Sequence, residues 1–273
     1  MKILDGRKLT EKVLNELNQK IANLHFPLKL AVVLVGDDPS SINYIKQKEK
    51  VCRALNINFQ LYKYQKNIET QKLTEEVKKI SNDSSVSGMI VQLPLPEKID
   101  TTLILNSVSA KKDPDVLSEI NSARFYSGDF SFIPPAVAGI VRFFEEYKIK
   151  VKGKNTVVVG AGKLIGRPMA FWLMFHGATV TTLNSKTKDI AGFTKKADII
   201  VCGVGKAEII KGSMIKRGAV IIDAGSSIKK GKIIGDVDFK TVSKKASYIT
   251  PVPGGVGPMT VAMLMENLVK LNS

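Results

Sequence analysis

The 273-residue sequence has very little cysteine and histidine, with two residues of each kind. Cys52 and Cys202 lie far apart in the chain, so a disulfide framework is not expected and a reducing compartment fits the cysteine usage. Together with His25 and His176, which are also scattered, they cannot form the ligand spacing of a zinc site. We therefore predict no metal centre.

Long apolar segments are also absent. No apolar run approaches the ~20 residues that cross a bilayer, and the first residues contain no stretch of the signal-peptide type. A composition of 44% hydrophobic and 24% charged residues is that of a globular protein. The sequence therefore predicts a soluble, cytoplasmic protein with no membrane partner.

Arginine and negative charge are scarce. The chain has 41 Lys and Arg against 25 Asp and Glu, for a net charge of +16, and nearly all of the basic residues are lysine. Such an excess attracts phosphorylated or carboxylated metabolites, acidic membranes or nucleic acid. Because arginine is the usual reader of bases and phosphates, we expect small anionic ligands and no nucleic acid. A lysine-rich nucleic-acid-binding protein remains the alternative.

Strand-like apolar runs alternate with amphipathic segments along the chain, a pattern typical of α/β proteins. The predicted strands are 29–36, 58–64, 88–93, 156–160, 178–183, 198–202, 219–223 and 248–250. The predicted helices are 40–55, 70–80, 137–147, 165–176 and 259–271. The stretch 111–132 is predicted to be loop or irregular helix. Pro134 and Pro135 indicate two α/β domains joined near residue 135.

A glycine-rich turn between a strand and a helix is the strongest local signal. Gly160, Gly162 and Gly166 form G-x-G-x-x-x-G, which lets the backbone approach a pyrophosphate at a helix N-terminus. A simple tight turn is the alternative. The next strand is followed by Ser185 and Lys186, where an NAD site would have an acid for the ribose hydroxyls. The missing acid favours NADP, unless Lys186 is only a solvated loop residue.

Three polar residues in the first half are candidates for catalysis. Tyr44 and Lys48 are four apart and share one face of a predicted helix that Ser40 or Ser41 could cap. Gln92 ends a buried strand before a proline, at the carboxyl end where open sheets bind ligands. By default, Lys48 would be a solvated charge and Gln92 an edge residue facing water. Asp113 and Asp115 could hold a polar ligand group or only shape a turn.

Together these motifs resemble the bifunctional methylenetetrahydrofolate dehydrogenase/cyclohydrolase family over nearly the whole chain. The resemblance is most specific in the dodecamer that runs from Ile249 to Thr260. The other matching segments are Ser41–Lys48, Val91–Pro96, Lys112–Asp115, Gly160–Pro168, Ala197–Lys206, Gly218–Asp223 and Gly235–Asp238.

The resemblance implies a folate-binding catalytic α/β domain, 1–136 plus 257–273. It also implies a Rossmann-like domain with a doubly wound parallel sheet, 137–256, which binds NADP, and a cleft between the two domains. The implied reactions are the oxidation of methylenetetrahydrofolate to methenyltetrahydrofolate with NADP and the hydrolysis of the product to 10-formyltetrahydrofolate. These reactions supply one-carbon units for purine, methionine and histidine biosynthesis. The family is homodimeric, so we expect a homodimer.

The resemblance also assigns site residues. Tyr44 would stack on the pterin, Gln92 would hold the catalytic Lys48 in position, and Asp115 would hydrogen-bond the aminopyrimidine edge. The implied substrate-binding residues are Tyr44, Lys48, Val91, Gln92, Leu93, Asp115, Pro253, Gly254, Gly255 and Val256. The implied cofactor-binding residues are Gly160, Ala161, Gly162, Ser185 and Ser226.

The chain departs from the family pattern at several positions. Ala161 stands where many members have Arg, although Ala also occurs there. Val116 stands where the usual motif has Gly, which predicts a stiffer loop around Asp115. The linker segment Pro134–Gly139 also differs from the usual linker, as does the segment Asp223–Ser227.

Overall fold

The computed structural model describes residues 1–229 and 231–273, and within them the chain forms two compact α/β units. Lys12–Pro135 with Val261–Ser273 forms the small-sheet unit, and Met1–Glu11 with Ala136–Thr260 forms the large-sheet unit. No helix of the described residues is long and apolar enough to cross a membrane.

The secondary-structure elements alternate along the chain much as the hydrophobic pattern predicts. The strands are β1 (Lys2–Ile3), β2 (Lys29–Val35), β3 (Asn58–Tyr64), β4 (Gly88–Val91), β5 (Asn155–Val159), β6 (Thr179–Leu183), β7 (Ile199–Cys202), β8 (Val220–Asp223), β9 (Ser227–Lys229), β10 (Lys232–Ile234) and β11 (Tyr248–Ile249). The α-helices are α1 (Gly6–Ala22), α2 (Pro39–Ala54), α3 (Thr70–Asn82), α4 (Thr101–Asn106), α5 (Glu119–Tyr126), α6 (Pro135–Glu146), α7 (Gly166–Phe175), α8 (Ile190–Thr194), α9 (Phe239–Val242) and α10 (Val256–Lys270).

The small-sheet unit is built on three parallel strands in the order β3-β2-β4. After β2, the chain crosses to one side for β3 and then to the other side for β4. The connection that leaves β2 leads to one side, while β4 lies on the other, so the topological switch point, where open sheets bind ligands, lies between the carboxyl ends of β2 and β4. Val33 of β2, Leu73 of α3 and Met89 of β4 belong to the buried core.

The large-sheet unit contains a six-stranded parallel sheet in the order β1-β11-β8-β7-β5-β6. Here the switch point lies at the carboxyl end of β5, because β6 pairs with one side of β5 and β7 with the other. Val157, Ile200 and Ile221 are buried in its core. A doubly wound parallel sheet in this half was predicted from the sequence and is confirmed.

The structure differs from the predicted domain bounds at the N-terminus. The prediction placed the first residues with the folate-binding domain, whereas β1 pairs in parallel with β11 of the large sheet, with Lys2 opposite Tyr248. The hydrogen bond from the Leu4 amide to the Ile249 carbonyl oxygen extends this pairing. A two-residue strand has too little hydrophobic pattern to reveal its partner, so the sequence alone could not assign it.

Five of the ten helices in the described part of the chain, α1, α4, α5, α8 and α9, were not predicted as such. Helix α1 has no predicted counterpart, although Leu9, Val13 and Leu17 recur every four residues and are all buried. Helix α5 lies within the stretch that was predicted to be loop or irregular helix. Its short length and weak amphipathic pattern explain why periodicity did not identify it.

Candidate functional site

Helix α2 carries the first two candidate residues and begins at the switch point of the small sheet. The capping residue is Asp38, not Ser40 or Ser41 as predicted: its side chain accepts a hydrogen bond from the Ser41 amide at 2.7 Å. Pro39 occupies the first helical position, where its missing N–H costs nothing. This start places Tyr44 and Lys48 on the same face, within the first three turns of the helix.

The Lys48 side chain is buried, with only 4% of its surface exposed. Its Nζ donates a hydrogen bond to Gln92 Oε1 at 3.0 Å and lies 4.9 Å from the centroid of the Tyr44 ring. Burial lowers the pKa of the Lys48 ammonium, and the negative charge of Asp115 opposes this effect. The amine is therefore easier to deprotonate than a lysine in water, which is the property a general base needs.

Both polar atoms of the Gln92 side-chain amide are hydrogen-bonded. It follows β4 directly, its backbone N–H donates to the Val33 carbonyl oxygen at 2.9 Å, and the residue is buried. The side-chain Nε2 donates to the Leu93 carbonyl oxygen at 2.7 Å, so Oε1 is the atom turned towards Lys48. The alternative of an edge residue facing water is wrong, because Gln92 is buried and its side chain is hydrogen-bonded to Lys48.

The two aspartates of the irregular stretch have different roles. Asp113 shapes the turn: its carboxylate accepts hydrogen bonds from the Ser118 amide at 2.9 Å and from the Ser118 hydroxyl at 2.6 Å. Asp115 is half-buried, and burial raises its pKa while the charge of Lys48 opposes this. Tyr44, Lys48, Gln92 and Asp115 all belong to the small-sheet unit.

Val116, directly after Asp115, has a backbone conformation that its side chain disfavours. Its φ is +59°, in the left-handed region, and its side chain is 1% exposed. A β-branched residue in this region costs of order 1–3 kcal/mol, a strain that glycine would avoid. Burial of the valine side chain offsets part of this cost. Packing of the Val116 side chain therefore maintains the conformation of the loop that presents Asp115. A glycine at this position would adopt the same conformation without strain.

The glycine turn follows β5, at the switch point of the large sheet. Gly160 has φ +110°, and a Cβ on it would lie 2.7 Å from the Gly203 carbonyl oxygen. A Cβ on Gly166 would overlap the Gly160 carbonyl, so α7 begins in direct contact with the turn. Gly162 has open space around it and is exposed. Tight turn, exposed backbone and helix N-terminus together fit a pyrophosphate group.

The remaining predicted cofactor residues surround this turn. Ala161 is half-buried, and its carbonyl oxygen accepts a hydrogen bond from Arg167 Nε at 2.9 Å. Ser185 is exposed just after β6, whose Leu183 carbonyl oxygen accepts from the Gly160 amide at 2.9 Å. Ser226 is exposed after β8, two strands away from β5. All of them lie at carboxyl ends of strands in the large-sheet unit.

The predicted loop residues Pro253, Gly254, Gly255 and Val256 also lie in the large-sheet unit. Gly254 has φ +108°, and its carbonyl oxygen accepts from the Gly6 amide at 3.0 Å. Val256 is the first residue of α10. Whether this loop contacts folate, as the resemblance implies, stays a prediction.

Two buried acids, Asp223 and Asp236, were missed as candidate functional residues, although both stand within the matching motifs. Both are hydrogen-bonded to backbone amides near the glycine turn. The sequence signal that identifies Asp223 is its position as the one polar residue of strand β8, which is otherwise apolar.

A glycine turn at the switch point of a parallel sheet and a buried lysine in a second α/β unit define a two-domain α/β dehydrogenase. Comparison with protein families identifies the kind of dehydrogenase. The catalytic domain of tetrahydrofolate dehydrogenase/cyclohydrolase matches residues 4–115, and the NAD(P)-binding domain of the same family matches residues 134–273. The chain belongs to the tetrahydrofolate dehydrogenase/cyclohydrolase family.

Individual members of the family are similar to this chain over nearly its full length. The bifunctional protein FolD of Nautilia profundicola is 44% identical over 99% of this chain and 96% of its own. The crystal structure of the Campylobacter jejuni FolD methylenetetrahydrofolate dehydrogenase/cyclohydrolase has a TM-score of 0.96 at 42% identity, covering 100% of this chain and 98% of that one. The Trypanosoma brucei enzyme, solved with NADP and an inhibitor, has a TM-score of 0.95 at 30% identity, covering 99% and 96%.

Proposed function

We propose that this protein oxidises methylenetetrahydrofolate with NADP and hydrolyses the resulting methenyltetrahydrofolate to 10-formyltetrahydrofolate. Family membership over both domains supports the two activities. The observation that carries the assignment to this chain is the buried Lys48–Gln92 hydrogen bond. Two buried free cysteines and bacterial relatives support a cytoplasmic location.

Oxidation requires positioning more than proton transfer. When bound, NADP supplies the nicotinamide ring that accepts the hydride. We assign its binding to Gly160, Ala161 and Gly162 with Ser185 and Ser226, because their backbone and hydroxyl groups lie at strand ends around the switch point. The protein's task is to hold the reacting carbon of folate in place.

On the folate side, we assign Tyr44 to stacking on the pterin and Asp115 to its aminopyrimidine edge. The partial burial of Asp115 and its charge interaction with Lys48 support this arrangement. Val91 and Leu93, which belong to the same unit, complete the substrate contacts that we propose here.

Hydrolysis requires a group that moves protons, and Lys48 is our candidate. A water molecule adds to the cationic methenyl carbon, its proton passes to the neutral Lys48 amine, and a proton then reaches the ring nitrogen as the carbon–nitrogen bond breaks. The pKa of Lys48 is lowered by burial, which makes the neutral amine accessible. Because Gln92 accepts one of the lysine N–H bonds, the lone pair of the neutral amine is directed away from the glutamine.

A spectrophotometric assay tests the proposal. The purified protein, given methylenetetrahydrofolate and NADP, should form the methenyl product and reduced cofactor, and the methenyl absorbance should then decay by hydrolysis. Supplying methenyltetrahydrofolate directly measures the second reaction alone. Failure to reduce NADP with this substrate would overturn the dehydrogenase assignment, and decay no faster than in buffer would overturn the cyclohydrolase assignment.

NADP should be preferred over NAD through Ser185. No acid directly follows β6, and Ser185 and Lys186 are both exposed there. Changing Ser185 to Asp places a carboxylate beside the 2′-phosphate, and like-charge repulsion of a few kcal/mol at short range should raise the KM for NADP roughly 100-fold. The KM for NAD should change only a few-fold. Ser185→Ala, which removes the hydroxyl without adding charge, should have a smaller effect on NADP; equal losses for both cofactors in S185D would refute the contact.

The protein should be a homodimer, with the large-sheet unit contributing the interface. This unit exposes large apolar side chains, including Met174 at 59%, Phe175 at 56% and Ile228 at 64%. Contiguous exposed apolar surface marks association sites, and Met174 and Phe175 are adjacent in the chain. Light scattering at micromolar concentration should give twice the mass of one chain, and the mass of a single chain would contradict the prediction.

A further inference from the structure

Two buried carboxylates bind backbone amides of segments close to the glycine turn that we assign to the dinucleotide. Asp236 has no exposed surface and Asp223 is 3% exposed. Burying a carboxylate is costly unless hydrogen bonds compensate it. Both belong to the large-sheet unit, and the mechanism proposed above gives neither of them a role.

Asp236 binds the loop that follows β7. One carboxylate oxygen accepts hydrogen bonds from the Val204 amide at 2.6 Å and the Gly205 amide at 3.1 Å, and the other accepts from the Lys206 amide at 2.8 Å. Three consecutive backbone N–H groups thus converge on one carboxylate. Hydrogen bonds to an ionised acceptor are stronger than neutral ones, so this single side chain fixes the conformation of the loop.

The same loop packs against the glycine turn. The Gly203 amide donates to the Val159 carbonyl oxygen at 3.0 Å, which ties the start of the loop to the end of β5. Gly160 approaches the Gly203 carbonyl so closely that a Cβ would lie 2.7 Å from its oxygen. The position of the 203–206 loop therefore limits where the glycine turn can lie.

Asp223 connects this arrangement to Ser226. Its carboxylate accepts from the amides of Gly225 at 3.1 Å, Asp236 at 3.2 Å and Val237 at 2.9 Å. A Cβ on Gly225 would overlap the Asp236 carboxylate, so the segment that leads to Ser226 also packs directly on it. Burial raises the pKa of Asp223 to about 7, and the nearby charge of Asp236 contributes, while its hydrogen bonds from backbone amides oppose the shift.

We propose that Asp236 is a positioning residue for dinucleotide binding, whose carboxylate holds the 203–206 loop and the Ser226 segment in the geometry that the glycine turn requires. This inference rests on the proposed function, in which the turn binds NADP. It assigns to Asp236 no contact with the cofactor or with folate.

Asp236→Asn tests the proposal. The amide keeps the shape of the side chain but has one acceptor oxygen, and its NH₂ group faces backbone donors. NADP affinity, measured by calorimetry with NADP alone, should fall at least tenfold, with a matching rise in the KM for NADP. The cyclohydrolase rate with methenyltetrahydrofolate should stay within twofold, because that reaction takes place in the small-sheet unit.

Asp238→Asn is the matched control. It makes the same chemical change two residues away, where Asp238 caps α9 by accepting from the Thr241 amide at 3.2 Å. The hydrogen bonds that the Asp238 carboxylate accepts from the described residues come from residues of α9 such as Thr241 and not from the 203–206 loop. NADP affinity of this variant should stay within twofold of the unmodified protein. The proposal is overturned if D236N binds NADP within twofold, if D236N loses both activities equally, or if D238N loses as much affinity as D236N.

If D236N does not fold, Gly205→Ala provides the test. Gly205 has φ +75°, so alanine strains the loop while the Asp236 carboxylate stays. The same selective loss of NADP affinity is expected, and unchanged affinity would overturn the proposal. An unmodified protein that binds NADP but does not oxidise methylenetetrahydrofolate would refute the proposed function instead, which keeps the two failures distinct.

Discussion

Changing Lys48 to glutamine should lower the cyclohydrolase rate by roughly 10²–10⁴-fold, the usual contribution of a general acid/base. Dehydrogenase activity should fall only about tenfold, the loss of one charged contact of about 1.4 kcal/mol. Hydride transfer generates a cation without needing a base, whereas hydrolysis needs a group that exchanges protons. Glutamine retains polarity and much of the length of lysine, but it cannot titrate. The variant should therefore accumulate the methenyl intermediate, seen as a persistent near-ultraviolet absorbance.

Lys50→Gln is the appropriate control for this experiment. Lys50 lies on the same helix and is exposed, so the same substitution there removes a solvated charge. Both activities of this variant should remain within twofold. If K48Q loses both activities by the same large factor, Lys48 serves binding or folding, and the mechanism assigned to it is wrong.

Changing Gly166 to alanine should weaken NADP binding about 100-fold, because the new Cβ would overlap the Gly160 carbonyl and displace the turn. Displacements of about 1 Å at a functional site can cost this much. The free energy of unfolding should also fall by about 1–3 kcal/mol, the typical cost of overpacking. Calorimetry with NADP and urea denaturation measure the two effects.

Gly162→Ala is the control for this experiment, because it adds a methyl group to the same turn without the steric overlap that is expected in Gly166→Ala. Apart from its two neighbours in the chain, no described residue has an atom within 4 Å of the position that its Cβ would take. The free energy of unfolding of this variant should stay within about 0.5 kcal/mol of the unmodified protein, as for most surface substitutions. Equal destabilisation by the two variants would show that the close packing at Gly166 does not stabilise the unit.

Hydrophobic patterning revealed most of the core elements of both units. Each predicted strand is present, and β3 has the bounds that were predicted. This succeeds because buried parallel strands form short apolar runs and amphipathic helices repeat every 3–4 residues. The antiparallel pair of β9 and β10 was missed, since these strands are largely exposed and are not selected by core packing.

The candidate site was predictable only in part. The spacing of Tyr44 and Lys48 places them on one helix face, whatever the tertiary structure is. The glycines after β5 indicate a turn whose backbone can approach a pyrophosphate closely. The roles of Asp223 and Asp236 could not be read in the same way. A buried aspartate and a turn-forming aspartate look identical in sequence, and only the amides that converge on the side chain distinguish them.

The sequence by itself determined the alternation of strands and helices, the shared face of Tyr44 and Lys48 and the family motifs, because these depend on local periodicity and residue type. Only the tertiary structure decided that β1 joins the large sheet and that β2 and β5 lie at switch points, because strand order depends on pairing between distant segments. It also decided that Lys48 is buried against Gln92, although exposed lysines flank it on the same helix. Burial of a charge is a property of the surroundings, and these come from residues more than 40 positions away in the chain.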